Sequence, residues 1–337
     1  MAPPAGPFRT LGCDLAASRW VGGVTIWAVG GVSIGFLPGE AGSWPTPLAR
    51  RLVERCETSG LDHLCAGDHI SFWVGAGSDG LSMANRFLSL SDRLAVNTAV
   101  YLLPLRHPVV VARQLADIAA FAPGRFTFGV GIGGEDPHEY EVCGVDPSTR
   151  GRRMDECIEI VRALLAGEAV DHDTRHFRLE NATIAPVPSV EVPIIVGGRS
   201  DAALQRAGRL GDGWMGLWVS PERYAASVAT MHEAAATAGR DRAPSINGLN
   251  VWCGLDADET AARAHVAEAM QAFYQLPYER FERWSPFGTP ERVAEVLAPY
   301  TEAGCSIFNL IAVSSSPEAS VDRAAEVATL LREHVGS

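Results

Sequence analysis

The 337-residue chain contains no lysine: all 28 of its basic residues are arginine. Mechanisms that need a side-chain amine are thereby excluded, among them the Schiff base of pyridoxal phosphate enzymes, lysine-type aldolases and the phosphate-gripping lysine of a P-loop. Positive charge is scarce as a whole, because 40 Asp and Glu leave a net charge of −12. Such a field repels phosphate backbones and anionic lipid, so neither nucleic acid nor a membrane surface is an expected partner. The seven cysteines (Cys13, Cys56, Cys65, Cys143, Cys157, Cys253, Cys305) are odd in number and form no C-x-x-C pair. That scatter fits buried thiols in a reducing cytosol better than a disulfide framework or a zinc site, so a cytoplasmic protein without a metal is expected. Charge is also absent from the twenty residues between Arg19 and Glu40, about the length of a membrane span. Glycines and Pro38 interrupt that run, no basic segment precedes it, and it ends in Val32-Ser33-Ile34-Gly35-Phe36-Leu37, which reads as a buried strand. Residues 1–31 are read as an N-terminal extension and residues 32–337 as one domain.

What is present is an alternation of short apolar runs with amphipathic segments, the signature of βα units around a parallel sheet. Strands are predicted at 32–37, 62–67, 94–103, 126–131, 193–197, 213–219, 248–254 and 306–312. Helices are predicted at 46–59, 82–91, 107–121, 149–166, 201–211, 221–238, 258–274, 290–303 and 318–334. The clearest helix repeats Met154, Cys157, Ile158, Val161, Leu164 and Leu165 at i, i+3, i+4 on one face. Eight strands predict an α/β fold, a closed (β/α)8 TIM barrel. Three stretches exceed a minimal barrel: 134–148 after strand 4, 275–289 after strand 7, and 167–191 on the way to strand 5. The first two belong on the face where barrel sites lie, and 171–185 alternates like a small hairpin.

Chemistry is sought at the strand C-termini. Strand 2 ends in Gly67-Asp68-His69 with Trp73 following, an imidazole beside a carboxylate that suits acid/base work, with a capping Asp and a packed His as the alternative. Strand 4 runs into Gly129-Val130-Gly131-Ile132-Gly133-Gly134-Glu135, a formal G-x-G-x-x-G. No helix starts at once and Asp136-Pro137 follows, so a Rossmann site is rejected; Gly131 marks instead a strand end stripped of side chains, open to a flat ring. Strand 5 ends in Gly197-Gly198-Arg199-Ser200-Asp201, where free amides and a fixed guanidinium fork suit a phosphate cradle, with an ordinary βα turn and an exposed Arg as the alternative. Aromatic residues crowd the segment after strand 7, with Phe273, Tyr274, Tyr278, Phe281 and Trp284, and Trp218 ends strand 6. They suggest a pocket for an apolar molecule, with core packing as the alternative.

The segments Gly67-Asp68-His69 to Trp73, Leu105-Arg106-His107-Pro108, Gly124-Arg125-Phe126 with Gly129 to Gly133, Arg153-Met154-Asp155-Glu156, Pro193 to Gly198 and Ala207 to Trp214 resemble, in order, the bacterial luciferase-like family. The resemblance spans roughly residues 32–335 and implies a (β/α)8 barrel using flavin mononucleotide (FMN) or the deazaflavin coenzyme F420, and a homodimer. The Asp-His pair with Trp five residues after the Asp is similar to the F420 branch, which includes a glucose-6-phosphate dehydrogenase. That likeness implies His69 as the acid/base, Asp68 as a cofactor contact, Trp73 in the substrate pocket, Gly197 and Gly198 at the cofactor phosphate, and a non-prolyl cis peptide near Ala99-Val100 behind the ring. A catalytic Glu directly follows the strand 4 glycines in that branch, whereas Gly134 intervenes here before Glu135. An F420-dependent oxidoreductase acting on a small hydrophobic alcohol, ketone or enone is the expected function. An FMN-dependent monooxygenase and a redox-inactive ligand-binding barrel are the alternatives.

Overall fold

A computed structural model describes residues 31–39, 44–73 and 75–336. Cys13 and, but for Gly31, the expected N-terminal extension lie outside the described residues. Eight strands form the barrel: β1 (Ser33–Phe36), β2 (His63–Ala66), β3 (Ala95–Thr98), β4 (Phe126–Gly131), β5 (Ile194–Gly197), β6 (Gly213–Leu217), β7 (Ile246–Leu255) and β8 (Ile307–Val313). Each pairs in parallel with its sequence neighbour, and β8 pairs with β1, so the sheet closes into a TIM barrel. Both faces of such a sheet are covered, which is why the strands read as continuous apolar runs. The predicted strand over 94–103 is shorter than expected. The chain leaves β3 at Thr98, passes through a cis Ala99–Val100 peptide, and Tyr101–Leu102 then pairs with β4.

The helices begin close to the strand ends because the intervening turns carry capping residues. Ser200, Ser220, Asp258 and Thr289 each accept a hydrogen bond from the backbone N–H three residues on, and Asp79 does the same for Ser82. Each cap contributes about 1 kcal/mol, and after β5, β6 and β7, where Ser200, Ser220 and Asp258 stand, the βα loop is only a few residues long. Space at the mouth is thus left to the longer segments. The helix over Arg150–Leu165 buries Met154, Cys157, Ile158, Val161 and Leu164, as its spacing requires. The expected hairpin is present as Val170–Asp173 paired with Arg178–Ala182, tied to that helix through His172, Thr174 and His176 on Glu156. Two elements at the mouth were not anticipated: a hairpin after β2 (His69–Phe72 with Ala76–Ser78) and a short helix after β4 (His138–Val142). Among the described residues no helix is long and apolar enough to cross a membrane.

The barrel interior carries a polar layer. Asn309 on β8 accepts from Asn97 at 3.0 Å and donates to Asn250 at 2.7 Å, and its Oδ1 lies 2.8 Å from His63 Nε2. The ring of His63 lies against Gly35, its register partner on β1, where a methyl group would fall 2.2 Å from the imidazole. Gly35 is therefore the space the ring needs. Burial pushes the His63 imidazole down to about 4 from its usual 6.5, against the opposing hydrogen bond to Asn309. The unfolded chain takes up this proton near pH 6.5 while the native state does not until about pH 4. The associated stability is thus complete above pH 6.5 and declines below it, by about 2 kcal/mol at pH 5 and about 3 kcal/mol at pH 4. Urea unfolding at pH 7.5 and pH 5 checks this: His63→Gln should show a clearly smaller loss between the two pH values than the native chain, and an equal loss would place the acid sensitivity elsewhere.

Candidate active site

The C-terminal ends of the strands open into a cavity of about 1200 Å³. Of the residues singled out in the sequence it is lined by Asp68, His69, Trp73, Ala99, Val100, Gly131, Glu135, Gly197, Gly198, Arg199 and Trp218. Their arrangement differs in detail from the expectation.

His69 opens the hairpin after β2, with its ring stacked on Phe72 at 4.0 Å between centroids and edge-on to Phe273 at 5.6 Å. Its Nδ1 lies 3.0 Å from Oε2 of Glu139, a carboxylate the sequence reading did not select. Glu139 sits in the short helix after β4 and is 2% exposed; its Oε1 accepts from the backbone of Ile70 at 2.8 Å. Burial works to raise the Glu139 carboxyl, but the hydrogen bond and charge of His69 and the Ile70 and Ser71 amides outweigh it and hold the group below the usual carboxylate range. Asp136, also buried, accepts from the backbone of Trp73 at 2.6 Å. These two carboxylates clasp the hairpin over the mouth. Glu135, by contrast, stands exposed on the rim, because Gly133 and Gly134 adopt φ of +58° and +124° and turn the chain outward. The signal for Glu139 was the acidic run around Pro137, a helix start whose carboxylates face a neighbouring loop.

Asp68 borders the cavity, yet its carboxylate is turned into the protein. It accepts from the backbone of Gly80 and Leu102, each at 2.8 Å, and from both terminal nitrogens of Arg106 at 2.7 Å. Burial pushes this carboxyl up, against Arg106 and the two amides.

On the opposite wall, Val100 fills the space that glycine leaves on two strands. A Cβ at Gly131 would fall 2.4 Å from one Val100 methyl and a Cβ at Gly197 2.9 Å from the other. The glycines thus admit Val100, and the three together give the cavity an apolar lining there. The Gly198 carbonyl accepts from Trp214 Nε1 at 2.7 Å, while Ser200 caps the helix Asp201–Leu210. The Arg199 guanidinium lies 5.2 Å from the Trp218 ring, within cation–π range. A second guanidinium that the reading missed, Arg150, also lines the cavity, 3.5 Å from where a Gly134 Cβ would lie. Its place at the start of a helix gave no sign that the β4 and β5 loops converge on it.

The aromatic expectation divides. Trp73, Trp218, Phe273 and Tyr274 line the cavity, whereas Tyr278 and Phe281 are buried in a cluster behind it, and Trp284 stacks beneath Arg283 at 3.7 Å. Core packing accounts for Tyr278 and Phe281, while Trp284 is a half-buried partner of Arg283. Trp73 and Trp218 hold φ of 49° and 52°, a left-handed conformation rare for bulky residues, and both present indoles to the cavity. Among the described residues no group of three or more His, Cys, Asp or Glu is arranged to hold a metal.

A closed parallel barrel with an apolar cleft, an imidazole–carboxylate pair and two guanidinium groups at its mouth has the form of a ligand-binding TIM barrel. Residues 36–306 match the family model described as luciferase-like monooxygenase, and the chain belongs to that family. A Mycobacterium tuberculosis protein of unassigned function is 38% identical over 211 residues, 62% of this chain and 72% of its own length. An F420-dependent glucose-6-phosphate dehydrogenase of Nocardia farcinica is 27% identical over 280 residues, covering 74% of this chain and 82% of the relative. Among solved structures, an F420-dependent secondary alcohol dehydrogenase in complex with an F420-acetone adduct superposes with a TM-score of 0.80 at 21% identity, over 90% of this chain and 99% of that one. A type II Baeyer-Villiger monooxygenase constituent from Pseudomonas putida, in complex with FMN, superposes with a TM-score of 0.72 at 15% identity, over 90% and 98%. At these identities the structural likeness is one of fold.

Proposed function

We propose that the chain is a coenzyme F420-dependent oxidoreductase that moves hydride between the deazaflavin and a small hydrophobic alcohol, ketone or enone. The observation that carries this reading is His69, held through Nδ1 by a buried carboxylate at the rim of a cavity walled by aromatic residues. F420-dependent relatives covering most of the chain support it. The residues present fit such a cofactor. Val100, set between Gly131 and Gly197, offers an apolar wall to a ring, and Arg150 and Arg199 line the same cavity without a carboxylate ion-pair partner among the described residues. When bound, the deazaflavin would supply hydride chemistry with little reactivity toward oxygen.

The chain's own groups would then divide the remaining work. Ala99, Val100 and Gly131 would lie against the ring, and Gly197, Gly198 and Arg199 would hold the phosphate. Nε2 of His69 would take the hydroxyl proton as an alcohol is oxidised and return it when a carbonyl is reduced. Trp73, Trp218 and Phe273 would exclude water and select apolar substrate. Glucose 6-phosphate is a poor fit, since a dianion would enter a protein of net charge −12 that has no lysine to grip it.

Fluorescence titration with F420 and FMN side by side tests the cofactor. F420 should bind at least tenfold more tightly than FMN, and Arg199→Ala should weaken it roughly tenfold through the lost charge-assisted hydrogen bonds. Preferential binding of FMN with oxygen uptake would make the protein a flavin monooxygenase, and binding of neither would make it a redox-inactive barrel. With F420 bound, reduction by hydrophobic secondary alcohols should exceed that by glucose 6-phosphate; robust turnover of the sugar phosphate would overturn the substrate class.

A further inference from the structure

We propose that Glu139 is a positioning residue that fixes the tautomer of His69, so that the neutral imidazole carries its proton on Nδ1 and presents a bare Nε2 to the cavity. The catalytic consequence rests on the oxidoreductase reading above; the tautomer itself does not.

The geometry leaves the carboxylate little choice. Oε1 of Glu139 accepts from the Ile70 amide at 2.8 Å, and Oε2 lies 3.0 Å from His69 Nδ1. An ionised carboxylate only accepts, so a hydrogen bond at Nδ1 requires the proton to be there. With 2% exposure, Glu139 has little water to turn to, and the neighbouring donors keep it ionised. Nε2 has no hydrogen-bond partner among the described residues, and Phe72 and Phe273 pack against the ring, opposing rotation. The imidazole is therefore set as an acceptor toward the cavity. In alcohol oxidation the hydroxyl O–H and carbinol C–H bonds would break to leave a carbonyl, the proton passing to Nε2 and the hydride being supplied to F420 when it is bound; the resulting imidazolium would face the Glu139 carboxylate through Nδ1–H.

Glu139→Gln separates this role from a structural one. The Ile70 amide still needs an acceptor, so the glutamine oxygen takes the Oε1 place and its NH₂ group faces Nδ1. Nδ1 must then accept, and the proton moves to Nε2. The side chain keeps its shape while the imidazole points a donor into the cavity.

Nitrogen-15 imidazole NMR on the protein without cofactor, at a pH where His69 is neutral, reads this directly. The native chain should show a pyrrole-like Nδ1 and a pyridine-like Nε2, and Glu139→Gln should reverse them. A native chain with its proton on Nε2 overturns the proposal whether or not the variant folds. In the F420-coupled reaction Glu139→Gln should lower kcat by roughly 10²- to 10⁴-fold with F420 affinity within about twofold of native; a native-like kcat would also overturn it. Absence of F420 turnover in the native protein would count against the functional reading and leave the tautomer result standing.

Discussion

Replacing His69 with alanine should lower kcat for F420-coupled alcohol oxidation by roughly two to four powers of ten and leave the F420 dissociation constant within about twofold of native. The magnitude is that of losing a general base matched to its proton. The selectivity follows from placement. His69 stands on the hairpin after β2, whereas Val100, Gly131, Gly197 and Arg199, to which the cofactor is assigned, stand on the β3, β4 and β5 side. The substitution should also spare the hairpin. Glu139 still receives the Ile70 amide at 2.8 Å and Asp136 the Trp73 amide at 2.6 Å, so the clasp that holds the hairpin over the mouth remains. A kcat unchanged by His69→Ala, measured with an alcohol that the native enzyme oxidises, would remove the imidazole from the mechanism.

The barrel was legible because each stave is an apolar run bounded by glycine, proline or a capping residue, a signal that is local in sequence. The polar layer inside it was not, because the partners are remote: His63 meets Asn309, 246 positions away, and each appears as one polar residue inside an apolar run. The hairpin after β2 escaped for a related reason. Ile70 and Trp73 are exposed, Phe72 is buried and glycines intervene, so neither a period of two nor a turn pattern emerges. At the site, the residues facing the cavity were found because strand C-termini are where barrels place them. The groups that orient those residues were not found. Glu139 and Arg150 reach the mouth from segments whose paths the sequence leaves open, and Glu135, though nearer to the strand glycines, stands exposed on the rim.

Asp68 makes the same distinction measurable in stability. The resemblance implied a cofactor contact, yet both carboxylate oxygens are engaged by Gly80, Leu102 and the Arg106 fork, with the Asp68 side chain fully buried and that of Arg106 15% exposed. Through these bonds Asp68 ties the end of β2 to the start of the helix Gly80–Leu90 and to the segment that follows β3. Arg106 in turn lies 4.3 Å from the centroid of the Tyr101 ring. Removing one partner of such a pair strands a buried charge, so Arg106→Ala should cost about 3–5 kcal/mol, read as a lowered urea midpoint with unchanged slope. Removing both charges at once relieves that penalty. The double variant Asp68→Asn with Arg106→Met should therefore be more stable than Arg106→Ala, even though it alters more of the site. F420 titration of the double variant then separates the two roles of Asp68. Affinity within about twofold of native would assign the carboxylate to the scaffold, whereas a tenfold loss in a protein that has regained stability would restore it to the cofactor.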